Sequence, residues 1–203
     1  LPYLTYLTVF SYGFTDSGEL TVVNDQPLIN LAYRYRVAPV MSVSSITESG
    51  NFSSEHASML FQNPALQDKV LDRITEVMQQ KGYLGLDIDF EYILAADRAG
   101  YIAFVEKATE QMHRYGFFVN TDLAPKVSAD QPGLLYEAHD YGAIGAASDT
   151  VMLMTYEWGY TYGPPMAVAP LDQVRRVVRY AVTEIPPGNL MLGIPTFGYA
   201  WRL

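Results

Sequence analysis

Short apolar runs alternate with helix-period segments along the whole of this chain, and that alternation leaves few folds open. Runs of strand length fall at Leu4–Tyr12, Ala38–Ser44, Leu84–Tyr92, Phe117–Leu123, Thr150–Tyr156 and Leu190–Phe197. Helical patterns fall between them, at about Gln26–Arg36, Ser54–Gln62, Ala65–Lys81, Ala96–Tyr115, Leu134–Ala147 and Leu171–Glu184. Strand and helix in repeated alternation predict βαβ units and a parallel sheet. Local punctuation agrees: Asn63-Pro64 opens one helix, Lys81-Gly82 closes it, and Tyr115-Gly116 closes the next. Tyr101, Phe104, Val105, Ala108 and Met112 form one apolar stripe opposite Glu106, Lys107 and Glu110, so that helix covers a sheet face. Gly163-Pro164-Pro165 and Pro186-Pro187-Gly188 read as loops, and with no linker in sight a single domain over residues 1–203 is expected. Six strands do not close an eight-stranded barrel. Leu1 leads straight into a strand and Tyr199–Arg202 follow one, so the pattern predicts a barrel segment with strands missing at both ends.

Charge and composition exclude several partners. The chain carries 22 acidic and 13 basic residues, a net charge of -9, and has no run of Lys or Arg, which argues against nucleic acid and against an anionic membrane surface. No apolar run approaches membrane-spanning length. Cysteine is absent, so disulfides, thiolate chemistry and cysteine-held zinc are ruled out. The three histidines, His56, His113 and His139, lack the short spacing of a helical metal pair, and no metal or cofactor is expected. His113 and His139 fall in helix patterns distant from strand ends and read as surface or packing residues. Sixteen tyrosines could offer a sugar an apolar face together with a hydroxyl, although most buried tyrosines only pack.

The chemistry concentrates in Gly85-Leu86-Asp87-Ile88-Asp89-Phe90-Glu91-Tyr92. Strand side chains alternate, so Asp87, Asp89 and Glu91 share one face and Leu86, Ile88 and Phe90 the other. In a parallel barrel the apolar set meets the helices and the acids point inward, where a filled interior is normally apolar. Three carboxyls stacked there repel one another and lose hydration unless protons are shared, a cost that argues for a chemical role. Coupled carboxyls can hold a proton at neutral pH, and Glu91, the outermost, is best placed to reach a leaving-group oxygen. Two blander readings stay open: a half-exposed antiparallel strand with a solvated acidic face, and a divalent-cation loop, although an EF-hand's glycine turn is absent.

This run resembles the D-x-x-D-x-D-x-E signature on the fourth strand of glycoside hydrolase family 18, the chitinase-like (β/α)8 TIM barrels. The last three acids match; the first position is Leu84. Met154-Thr155-Tyr156-Glu157 resembles the family's M-x-Y-D segment on the sixth strand, with Glu157 where Asp is usual. Leu123-Ala124-Pro125-Lys126 and Gly193-Ile194-Pro195-Thr196-Phe197-Gly198-Tyr199 resemble the fifth and seventh strand ends. Together with Phe90, Tyr92, Glu157-Trp158-Gly159 and Ala167-Val168-Ala169-Pro170, the pattern is similar to a subgroup of bacterial spore-cortex peptidoglycan glycosidases often joined to LysM modules. The resemblance runs from about the second barrel strand to the seventh.

The resemblance implies a retaining hydrolase of N-acetylglucosamine-containing polysaccharide in which the substrate's own 2-acetamido oxygen attacks the anomeric carbon. Glu91 is then the proton donor and later the base. Asp89 orients the acetamido group, Asp87 holds the proton and orientation of Asp89, and Tyr156 donates its hydroxyl to the acetamido oxygen. Tyr12, Asp122, Lys126, Glu157, Trp158 and Trp201, at or just past strand ends, are candidates to line the cleft and bind substrate. The implied location is outside the cell, in wall or spore envelope, with no signal peptide in this segment. Chitin in place of peptidoglycan, and a non-catalytic sugar-binding barrel, remain alternatives. A metal or phosphate barrel enzyme would need a His ligand set or a Gly-rich loop, and neither is seen.

Overall fold

The computed structural model describes residues 1–47 and 49–202. Six strands form one sheet in chain order: β1 (Tyr6–Tyr12), β2 (Ala38–Ser44), β3 (Gly85–Asp89), β4 (Phe118–Leu123), β5 (Thr150–Leu153) and β6 (Leu190–Leu192). Every neighbouring pair is parallel. The helices are α1 (Gln26–Arg34), α2 (Ser54–Gln62), α3 (Pro64–Lys81), α4 (Arg98–Arg114), α5 (Tyr141–Ala147) and α6 (Leu171–Glu184). A parallel sheet in strict chain order, with helices carrying each return, is the wall of a (β/α)8 barrel, here six consecutive strands of it. β1 and β6 stand at its two edges. None of the described helices is long and apolar enough to cross a membrane.

Local sequence sets the helix ends. The Asn63 side chain accepts a hydrogen bond from the Leu66 N–H, and Pro64 supplies a first-turn residue that needs no partner for its missing N–H. Gly82 ends α3 in the left-handed region, φ 84°, donating its N–H back to the Met78 carbonyl. Ser53 and Asp140 cap α2 and α5 in the same way.

The outer sheet face carries Met41, Val43, Leu86, Ile88, Val119, Leu123, Val151 and Leu153, all buried in one apolar cluster with helix residues such as Leu60, Val70, Ile74, Phe104 and Met112. Each fully buried side chain of this size contributes about 1.5–3 kcal/mol. Behind the end of β3, Phe90 packs against Phe61, Tyr101 and Phe104 with ring centroids 5.6–6.1 Å apart. On the inner face, Gly85 leaves the space filled by Phe118 of β4, since a Cβ there would stand 2.5 Å from that ring.

Several boundaries differ from the sequence pattern. β3 ends at Asp89, β5 at Leu153 and β6 at Leu192, each short of its apolar run, because pairing stops where the chain turns into the loops above the sheet. Tyr92 and Glu157 take left-handed backbone, φ 54° and 65°, which bends the chain sharply just past β3 and β5. Residues 134–138 form a turn ahead of a short α5, so the helix expected from Leu134 starts only at Tyr141. A 3-10 turn at Ala95–Asp97 precedes α4.

Candidate active site

A parallel register sets which side chains share a layer inside the wall. Ser42 of β2, Asp87 of β3, Asn120 of β4 and Thr150 of β5 lie side by side in successive pairings. Asp89, two residues on from Asp87, pairs with Ser44. Glu91 lies past the last paired residue of β3, above both. All three carboxyls open into one cleft of about 770 Å³, as strand alternation requires. Its other walls include Asp122, Met152, Met154, Tyr156, Glu157, Trp158, Tyr136 and Tyr160. The solvated acidic face of an antiparallel strand is excluded: Asp87 and Asp89 are each only 5% exposed.

Among the described residues five carboxyls line this cleft, Asp87, Asp89, Glu91, Asp122 and Glu157, and no Lys, Arg or His does. With no cation to offset them, burial raises every carboxyl buried in the wall. Glu91 is pushed up to about 7, first by burial and then by the charge of Glu157. Burial, then Glu91 and Asp87, raise Asp89. Asp87 is also raised by burial, against hydrogen bonds from Asn120, Asp122 and Ser42 that favour its anion. Asp122 is driven well above the carboxylate range by burial and by Asp87 and Asp89. A carboxyl near 7 can give up a proton and take it back at neutral pH, the property of a general acid/base.

The contacts of the stack differ from expectation in one respect. Asp87 accepts from Asn120 Nδ2 at 2.6 Å, while Oδ1 of Asp89 is buried without a hydrogen-bond partner. No hydrogen bond joins Asp87 to Asp89 among the described residues. Tyr156 faces the cleft with its ring beside Phe197, and burial raises its hydroxyl above the ordinary tyrosine value. The ring fits because residue 193 is glycine; a Cβ there would stand 2.6 Å from it. Glu157 is exposed and accepts a hydrogen bond from the Tyr199 hydroxyl.

Three residues expected near substrate lie elsewhere. Tyr12 is buried on the helix side of the sheet, its hydroxyl donating to Asp25 and accepting from Lys81 Nζ. The cause is a register shift in β1: three steps from Val9 to Tyr12 match two from Met41 to Val43, so the extra residue turns Ser11 inward and Tyr12 outward. Lys126 is buried and donates to the carbonyls of Ala129 and His139, locking the loop after β4. Trp201 packs beside Tyr199, 6.2 Å between ring centroids, and does not line the cleft. Of the two readings left open for His139 the structure gives packing, although not on a helix: it sits fully buried past β4, accepts the Ala124 N–H at Nδ1, and is kept neutral by burial, which lowers it to about 4. His113 does lie on the surface, beside Asp149.

Pattern reading missed Asn120, although the signal was present: Asn120 and Asp122 are polar at alternate positions of a strand and so share the inner face. Among the described residues no cluster of His, Asp or Glu has the arrangement of a metal site.

Comparison with known proteins places this geometry in context. A sequence model of the family described as Glycosyl hydrolases family 18 matches residues 2–203. The cortical fragment-lytic enzyme of Bacillus subtilis (strain 168) is 40% identical over 204 residues, covering 100% of this chain and 47% of the relative. The crystal structure of the Bacillus megaterium QM B1551 spore cortex-lytic enzyme SleL superposes with a TM-score of 0.90 at 36% identity, over 95% of this chain and 44% of that one. A chitinase from Chromobacterium violaceum ATCC 12472 shares the fold, with a TM-score of 0.87 at 23% identity, over 94% of this chain and 61% of its own. The chain thus spans about half the length of the curated relatives it matches.

Proposed function

The chain belongs to glycosyl hydrolase family 18, and from that premise we propose that it is the catalytic wall of a retaining glycosidase that cleaves β-linked, N-acetylglucosamine-containing polymers, peptidoglycan of the spore cortex foremost. The observation that carries this reading is Glu91: a carboxyl raised to about 7, just past β3 in an acid-lined cleft that Tyr156 also lines.

Glu91 protonates the glycosidic oxygen as the bond breaks and later takes a proton from water. The sugar's acetamido oxygen is the nucleophile and closes on the anomeric carbon to give an oxazolinium ion. Asp89, whose Oδ1 has no protein partner, receives the acetamido N–H; the neighbouring anion stabilises the positive charge that develops. Tyr156 donates its hydroxyl to the acetamido oxygen, and its raised value keeps that proton in place. Glu157 and Trp158 line the cleft around the sugar, and Asp122 lies in its wall beside Asp87. Cortex as substrate is supported by the kinship with cortical fragment-lytic enzymes, and it implies action in the spore envelope, with LysM modules in the whole protein.

Incubation of the full-length protein with spore-cortex muropeptides and with chitooligosaccharides, followed by product identification, tests the assignment. Cleavage of the muropeptides next to N-acetylglucosamine is expected. Products from chitooligosaccharides alone would make it a chitinase, and binding without turnover of either would make it a sugar-binding barrel.

A further inference from the structure

The carboxyl that completes the buried cluster comes from β4. Asp122 is 6% exposed, and a single amide joins it to the β3 stack: Asn120 Nδ2 donates to Asp87 at 2.6 Å and to Asp122 at 2.9 Å. The amide is not free to turn round, because Thr150 Oγ1 donates to Asn120 Oδ1 at 2.9 Å and so fixes which end faces the acids. Asp122 and Asp87 therefore lie close together on one amide nitrogen, both buried and with no cation beside them, and two such carboxyls cannot both be anions; one of them carries a proton. Asp87 accepts from Asn120 and lies beside the Ser42 hydroxyl in the β2–β3 pairing, donors that favour its charged form, whereas the one hydrogen bond Asp122 accepts among the described residues comes from Asn120. The proton therefore belongs to Asp122. Leu84, where the strand motif lacks its first acid, does not line the cleft.

We propose that Asp122 is a positioning residue: a neutral carboxylic acid that donates its hydrogen bond to Asp87, holds Asp87 as the anion of the cluster, and thereby keeps the next proton on Asp89. Its neighbours leave no alternative source of compensation. Asp87 and Asp89 from β3, Tyr101 from α4 and Tyr156 beyond β5 are the titratable groups in its field, and none of them is a cation. Asp122 thus acts through Asp87, not on the sugar.

Two measurements on the full-length protein test this, of which the kinetic one rests on the glycosidase reading and the spectroscopic one does not. With ¹³C-labelled aspartate side chains, the carboxyl resonance deleted by Asp122→Asn should remain in its protonated range through neutral pH. If it titrates below neutrality, Asp122 is an anion and the proposal fails, whatever the activity. For turnover of an N-acetylglucosamine oligosaccharide, the acidic limb of the kcat/KM profile should stay in place in Asp122→Asn, whose amide still donates to Asp87. In Asp122→Leu that donor is lost, Asp87 rises, and the limb should move up by about one pH unit. An unmoved limb in a folded Leu variant, or a limb shifted downward in the Asn variant, would overturn the assignment. A wild-type protein that turns over no such oligosaccharide refutes the glycosidase reading, while the resonance still decides where the proton sits.

Discussion

Glu91 and Glu157 show how much depends on where a single carboxylate is anchored. Glu91→Gln keeps size and hydrogen bonding but removes the proton, so turnover should fall by ~10²–10⁴-fold while sugar binding largely survives. Comparing kcat with oligosaccharide affinity in that variant checks it; equal loss of both would make Glu91 a binding residue only. Glu157 acts at a distance. Its negative charge disfavours the anion of Glu91 and so raises Glu91. Neutralising it in Glu157→Gln should lower Glu91 and move the alkaline limb of the rate profile to lower pH, because the donor loses its proton earlier. A limb that moves upward would show that Glu157 does not set that proton.

At the scale of elements, β3 is held in place from behind. Phe90 is fully buried among Phe61, Tyr101 and Phe104, so Phe90→Ala should cost about 3–5 kcal/mol of stability, measurable by urea unfolding. The link between α1 and α3 is electrostatic. Asp25, fully buried, accepts from Lys81, Tyr12 and Tyr83, and these bonds hold its carboxyl below the usual range although burial opposes them. Stability from this group is complete above the unfolded-state carboxylate value and is lost as pH falls through the depressed folded one. Lys81→Met should cost about 3–5 kcal/mol at neutral pH by leaving a buried charge unpaired, and should flatten that acid dependence. A variant as stable as the parent at pH 7 would contradict the pairing.

The same elements show what sequence could reveal. The acid face of β3 was legible because alternation is unbroken from Gly85 to Asp89 and the layer below it is set by register. Tyr12 was not legible, since one extra residue in β1 inverts the alternation and nothing in Phe10-Ser11-Tyr12 announces it. Lys126 misled for another reason: its ammonium is satisfied by loop carbonyls past β4, partners that only the folded chain brings near. Asn120 went unread because a polar residue two before Asp122 acquires meaning only when β4 lies beside Asp87.

For the whole molecule, the barrel wall gathers acids from β3, β4 and the loop beyond β5 into one cleft with no balancing cation among the described residues. Such a site is costly to build and fits a reaction that passes through a positively charged, oxocarbenium-like sugar. We propose that the nucleophile is the substrate's own acetamido group, with Asp89 beside it. The most direct measurement is the hydrolysis rate of the full-length protein on two glycosides matched in leaving group, one of N-acetylglucosamine and one of glucose. The account predicts turnover of the first and almost none of the second, which cannot form an oxazolinium ion. Efficient hydrolysis of the glucoside, or a sugar trapped covalently on Asp87 or Asp89, would contradict it.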